Sequence, residues 1–160
     1  NEETPFHPER YYEVFDLPGK KMNNSRGWEI YPKIMYDIAM YLKENYHNIP
    51  WLITENGMGR EYEEQYMDEK GIVQDDYRIE FIGQHLHYLI KATEEGANCE
   101  GYMLWAFTDC VSPMNAFKNR YGLVRIELND ERSRTLKKSA SWYQTLIDKR
   151  ELDLPDEIYK

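Results

Sequence analysis

Two helix-period stretches alternate with two short apolar runs, and this alternation most limits how the chain can fold. Ile34, Met35, Ile38, Ala39, Leu42 and Tyr46 recur at helical spacing behind Pro32, a residue favoured at the first helical position. They predict a helix from about 32 to 46. Trp51-Leu52-Ile53 follows directly after Pro50 and predicts a strand of buried type ending at Glu55. Ile79, Ile82, Leu86, Leu89 and Ile90 then mark a second helix, with Asp75 or Asp76 as its cap and Gly96 as its stop. Cys99 to Trp105 is a second strand of buried type. Strands joined through helices are parallel, with the helices on the outer side.

The rest of the chain is less regular. Tyr121 to Leu128 partly alternates, Asn129-Asp130 turns, and Arg134 to Lys138 returns, which predicts a β-hairpin. Ser141-x-x-Gln144 has the form of a capping box and starts a last helix carrying Trp142, Tyr143, Leu146 and Ile147. Residues 1–26 are read as a loop region punctuated by Pro5, Pro8, Pro18-Gly19 and Asn23-Asn24, with Tyr11, Tyr12, Val14 and Phe15 adding some apolar surface. Residues 57–74 read as a solvated acidic loop; the acids at 61, 63, 64, 68 and 69 lack the spacing of a calcium loop. Residues 151–160 read as a polar tail. His85 and His87 stand two apart on a helix, face different ways, and cannot share a metal. Two parallel strands cannot close a barrel, so the sheet is expected to keep open edges, which invite pairing with another chain.

Charge narrows the partners. The chain has 160 residues, 29 acidic and 20 basic, for a net charge of -9. No basic stripe suits nucleic acid. Lys20-Lys21 and Lys137-Lys138 read as solvated surface pairs. No apolar run approaches the length of a membrane span. Cys99 and Cys110 make no disulfide framework, which fits a reducing compartment.

The chemistry-bearing residue of the first strand is Glu55. It sits at the carboxyl end of the run, before a break at Asn56-Gly57. In parallel α/β sheets that end faces the ligand. Taken alone, the pattern is better met by a strand end carrying an acid without a role. Four blocks in order decide otherwise. Ile53-Thr54-Glu55-Asn56-Gly57 resembles the nucleophile motif of the family 1 glycoside hydrolases, the β-glucosidase and 6-phospho-β-glycosidase family. Trp105 with Asp109, followed by Arg120-Tyr121-Gly122-Leu123, resembles that family's Trp-Ser-x-x-Asp and Arg-Tyr/Phe-Gly-Leu segments. Gly27-Trp28-Glu29-Ile30-Tyr31-Pro32 and Lys137-Lys138-Ser139-Ala140-Ser141-Trp142-Tyr143 match an upstream and a closing block.

The resemblance implies a single partial domain over residues 1–160. It would be the carboxyl-terminal portion of a (β/α)8 TIM barrel, about its last two βα units, with the hairpin in the last βα loop. A complete barrel takes about 250 residues. It further implies a retaining reaction through two carboxyl groups about 5 to 5.5 Å apart. Glu55 would be the nucleophile. The family's acid/base Glu lies in an Asn-Glu-Pro motif that this sequence lacks, so the chain carries half of a dyad and should be inactive alone. No cofactor or metal is implied.

By the same resemblance Trp105 lines the sugar pocket. Ser112 stands where β-glucosidases place a Glu that accepts the 4- and 6-hydroxyls; Ser belongs to the 6-phospho branch. A hydroxyl can donate to a phosphate that a carboxylate would repel. Tyr121 matches the Tyr that acts with that Ser. The branch's Lys should fall at 119, where this chain has Asn119, and Lys118 one place earlier could serve through a shifted loop. Arg120 is expected in a structural ion pair. Pro113 replaces a Trp, which leans the reading to gluco over galacto substrates. The implied function is hydrolysis of 6-phospho-β-glucosides in the cytoplasm, where phosphorylated sugars are held. The alternatives are a β-glucosidase acting on unphosphorylated sugar, and a non-catalytic remnant or assembly module.

Overall fold

The computed structural model describes Tyr11 and residues 18–154. Most of the expected loop region at the amino terminus, with Pro5, Pro8, Tyr12, Val14 and Phe15, and the tail beyond 154 lie outside the described residues. The central order is as expected: helix α1 (Ile34–Asn45), a strand over Trp51–Asn56, helix α2 (Asp76–Glu94) and a strand over Cys99–Leu104. Before them a short hairpin pairs β1 (Met22–Asn23) with β2 (Trp28–Glu29), where the sequence suggested only irregular chain. The two central strands are therefore β3 and β4. They pair in parallel, with Trp51 opposite Cys99, Ile53 opposite Tyr102 and Asn56 opposite Leu104. The hairpin after β4 pairs β5 (Val124–Ile126) with β6 (Arg134–Leu136), shorter than the alternation suggested. Helix α3 (Lys138–Lys149) closes the described chain.

The sheet is covered on one side only. Met58, Phe81, Ile82 and Leu86 form a core with Tyr102, Leu104, Tyr143 and Leu146 packed against it. Ala39, Ala92 and Ala97 let α1 and α2 approach closely, with Trp51 sealing that contact. On the opposite face Leu52 and Met103 are exposed. Both strands are thus buried on one face, not two. Among the described residues there is no third parallel strand and no closed barrel, only three two-stranded sheets. Ile34 and Ile38, two of the residues at helical spacing in α1, are exposed. No helix among the described residues is long and apolar enough to cross a membrane.

Helix starts depart from the sequence signals. Asp75 stands at the N-cap position of α2 but makes no side-chain cap bond there. Its carboxylate instead accepts the Ser139 N–H (2.9 Å), the Ser139 hydroxyl (2.6 Å) and Arg78 Nε (2.8 Å). This distant acceptor starts α3 at Lys138, so the capping-box residue Ser141 falls inside the helix. The polar tail also begins later than expected, because Leu154 is buried and Leu152 packs on the core.

The acidic loop after β3 is not simply solvated. It contains a 3-10 turn over Glu63–Tyr66, and Glu63 is 0% exposed. Glu63 accepts Arg78 Nη2 and Lys137 Nζ at 2.5 Å each, and the Tyr77 hydroxyl at 2.6 Å. Lys137, read as surface, is likewise buried, with Asp109 as its second partner at 3.0 Å. Arg120 pairs with Asp109 at 3.3 Å, as expected. Three carboxylates (Glu63, Asp75, Asp109) and three cations (Arg78, Lys137, Arg120) thus balance in one network. A buried charge is tolerated only when paired and hydrogen-bonded, and no local sequence pattern shows its partners in advance.

Candidate active site

The network matters because it fixes the two loops that follow β3 and β4. Arg78 donates to the carbonyls of Met58 (2.5 Å), Tyr121 (2.9 Å) and Arg120 (3.1 Å). Arg60 and Arg120 exchange main-chain bonds of 3.1 and 2.8 Å, which stitch one loop to the other. The strand ends are tied as well. The Trp105 N–H donates to the Asn56 carbonyl at 2.9 Å, and the Tyr102 hydroxyl donates to Asn56 Oδ1 at 2.7 Å. The Trp105–Ala106 peptide bond is cis.

These ties leave a cleft of about 800 Å³ at the carboxyl ends of the strands. Glu55, Trp105, Ser112 and Tyr121 all line it, although they come from three separate stretches of chain. Glu55 is exposed on β3. Ser112 opens a tight turn closed by reciprocal 2.8 Å bonds with Ala116, and its Oγ accepts the Met114 N–H at 3.3 Å. Burial raises the Tyr121 phenol above its ordinary pKa, with Arg26 acting the other way, so the hydroxyl keeps its proton and can donate. Cys110 also lines the cleft, but burial, helped by Asp109, pushes its thiol up and away from the nucleophilic thiolate.

Lys118 is not brought in. It is 57% exposed, and its Nζ lies 3.3 Å from Glu61 Oε1. Asn119 is buried and also turns toward Glu61, at 3.5 Å. The loop therefore offers the cleft no cation from 118 or 119. Pro113 and Met114 complete that wall.

The β1–β2 hairpin and the residues directly after it add Arg26, Trp28, Ile30 and Tyr31 to the lining. Trp28, Ile30 and Tyr31 belong to a block noticed for its resemblance alone, and Arg26 directly precedes it. Their signal lay in that block; their arrival at the cleft needed the fold.

A cleft lined by a carboxylate at a strand end, an indole and two hydroxyls suits a sugar. The profile of Glycosyl hydrolase family 1 matches residues 6–152. The chain belongs to that family. A 6-phospho-β-glucosidase, GmuD of Bacillus subtilis (strain 168), is 53% identical over 148 residues, covering 92% of this chain and 32% of that protein. A 6-phospho-β-galactosidase of Staphylococcus haemolyticus (strain JCSC1435) is 40% identical over 128 residues, covering 78% of this chain and 26% of that protein. A solved family 1 β-glucosidase from Thermotoga maritima superposes with a TM-score of 0.78 at 28% identity, over 88% of this chain and 31% of that one. The chain thus spans about a third of the length of such relatives and represents a fragment of their fold.

Proposed function

We propose that this chain is the carboxyl-terminal third of a retaining 6-phospho-β-glucosidase. The observation that carries the reading is the meeting of Glu55, Ser112 and Tyr121 in one cleft. Glu55 attacks the anomeric carbon and forms a glycosyl-enzyme, while a carboxylic acid from another part of the full-length protein protonates the leaving oxygen. The carboxylate left by that acid then takes a proton from water, whose oxygen bonds to the anomeric carbon as the bond to Glu55 breaks, which releases the sugar and restores both carboxyl groups. Trp105 packs against the ring. Ser112 and Tyr121 donate to the 6-phosphate, which carries nearly two negative charges. The enzyme works in the cytoplasm, because a phosphorylated sugar does not cross membranes freely. Alone, the 160-residue chain lacks the acid/base group and does not turn over.

The similarity to GmuD and the Pro113 that stands beside Ser112 support a gluco substrate. The position of Lys118 on Glu61 favours, as second reading, a β-glucosidase of unphosphorylated sugar. The deciding experiment compares kcat/KM for nitrophenyl β-glucoside 6-phosphate and its unphosphorylated parent in the full-length enzyme. A preference for the phosphorylated substrate is expected, and Glu55→Gln should lower kcat at least about a thousandfold, roughly 4 kcal/mol. Preference for the unphosphorylated glucoside would hand the case to the second reading. Full activity in Glu55→Gln would remove Glu55 as nucleophile.

A further inference from the structure

A phosphate held by two hydroxyls alone, in a cleft that also carries Glu55 and Glu29, would lack a counter-charge. The cations nearest in sequence to Ser112 and Tyr121 are committed elsewhere. Lys118 sits on Glu61 and Arg120 on Asp109. Among the described residues, Arg26 is the one Lys or Arg side chain that lines the cleft.

The backbone at Arg26 is tightly held. Buried Asn23 accepts the N–H groups of Arg26 (3.1 Å) and Gly27 (2.7 Å) on its carbonyl, and that of Ser25 (3.2 Å) on its side chain. The same Asn23 donates through Nδ2 to the Gly59 carbonyl at 3.0 Å, and the Glu61 N–H donates to Ser25 Oγ at 3.2 Å. The turn is therefore anchored to the loop that follows Glu55. Gly59 completes the seat, because a Cβ there would stand 2.5 Å from Tyr121 Cζ. The Arg26 guanidinium carbon lies 4.4 Å from the centroid of the Trp28 ring, a cation–π contact. Its charge also reaches the Tyr121 phenol, which lines the same cleft. Its Nε is buried with no hydrogen-bond partner among the described residues.

We propose that Arg26 is a specificity-determining residue, the cation that binds the 6-phosphate together with Ser112 and Tyr121, in place of a lysine from the loop after β4. The inference rests on the 6-phospho reading above. A planar guanidinium presents paired N–H donors to a phosphate, which a flexible ammonium does not. Before substrate binds, the cation–π contact with Trp28 and the interaction with Tyr121 keep it in place, so little rotamer freedom is lost on binding.

The test uses the full-length enzyme with Arg26→Met, Arg26→Gln and Arg26→Lys. The readout is the ratio of kcat/KM for nitrophenyl β-glucoside 6-phosphate to that for the unphosphorylated glucoside, with the ratio of inhibition constants for glucose 6-phosphate and glucose as second measurement. Arg26→Met and Arg26→Gln should each reduce the first ratio roughly thirtyfold, about 2.0 kcal/mol at 1.36 per decade, with Arg26→Lys recovering part of it. Weaker inhibition by glucose 6-phosphate, but not by glucose, should accompany the change. If the wild type prefers the phosphorylated substrate and these variants lose both activities equally, Arg26 is a packing residue and the inference fails while the 6-phospho reading stands. If the wild type shows no such preference, the 6-phospho reading fails and takes this inference with it. Should one variant not fold, the other two and the inhibition ratio decide in the same way.

Discussion

Gly57 lies so close to the main chain of Trp105 that a Cβ at position 57 would stand 1.7 Å from the Trp105 carbonyl oxygen. This approach, with the Trp105 N–H bonded to the Asn56 carbonyl, brings the end of β3 against the end of β4 directly after Glu55. The backbone positions from which Glu55 and Trp105 project are thereby fixed against each other.

Gly57→Ala should therefore separate the two strand ends. Overpacking of this kind costs typically about 1 to 3 kcal/mol, and a displacement of about 1 Å in a reacting group can cost on the order of a hundredfold in rate. We expect a lowered melting temperature and a fall of at least about tenfold in kcat/KM on every substrate in the full-length enzyme. Unchanged stability and rate would mean that the loop yields freely.

Ser112→Glu should change specificity and leave the fold intact. Under the proposed 6-phospho reading it removes a donor and sets a carboxylate against the phosphate. Charge-assisted hydrogen bonds contribute about 1.5 to 3 kcal/mol each. The value of kcat/KM for the phosphorylated glucoside should fall roughly a hundredfold, about 2.7 kcal/mol. Activity on the unphosphorylated glucoside should hold or rise. Equal losses on both would make Ser112 a packing residue.

Arg78→Met should be among the most destabilising single changes. Arg78 is 1% exposed and pairs with both Glu63 and Asp75 while holding three loop carbonyls. Removing one partner of a buried ion pair costs about 3 to 5 kcal/mol, because the other charge stays buried. Urea unfolding of the full-length protein reads the loss. The double variant with Glu63→Gln should recover part of it; no recovery would show that the carbonyl bonds, not the ion pair, dominate.

His85 predicts a pH dependence of stability. Its Nδ1 lies 2.7 Å from the Phe81 carbonyl, an acceptor only, so that nitrogen carries a proton and Nε2 is the basic site. Burial lowers the pKa below its ordinary value, with the Phe81 bond acting in the opposite sense. The unfolded chain then binds the proton first as pH falls. Stability should drop as pH goes down through about 6.5 toward the lower folded value, and level off beneath it. Unfolding free energies of wild type and His85→Gln, compared from pH 7 to 5, isolate this slope. Identical slopes would rule out the histidine as its source.

The 160-residue chain by itself should self-associate. Leu52 and Met103 are exposed on the bare sheet face, and Phe107, Leu136 and Ile147 are exposed around an apolar hollow of about 580 Å³, surface of the kind that marks an association site. Sedimentation velocity across a concentration series should show growing species. A monomer at every concentration, unfolding cooperatively, would refute the expectation.

The sequence by itself determined the alternation of helices and strands, because apolar periodicity is a local property that each segment carries alone. It also determined the family and the candidates Glu55, Trp105, Ser112 and Tyr121, because short motifs keep their residue types in order along the chain. Tertiary structure decided everything that depends on a partner far away. Asp75 looked like a helix cap and proved to be the acceptor for Ser139; Glu63 and Lys137 looked solvated and are buried against each other. Lys118 stood in the right stretch but turns to Glu61, while Arg26 reaches the same cleft from a hairpin 86 positions upstream of Ser112. The physical reason is common to all five. A charged side chain settles where its counter-charge and its desolvation balance, and that balance is struck between segments no local pattern connects.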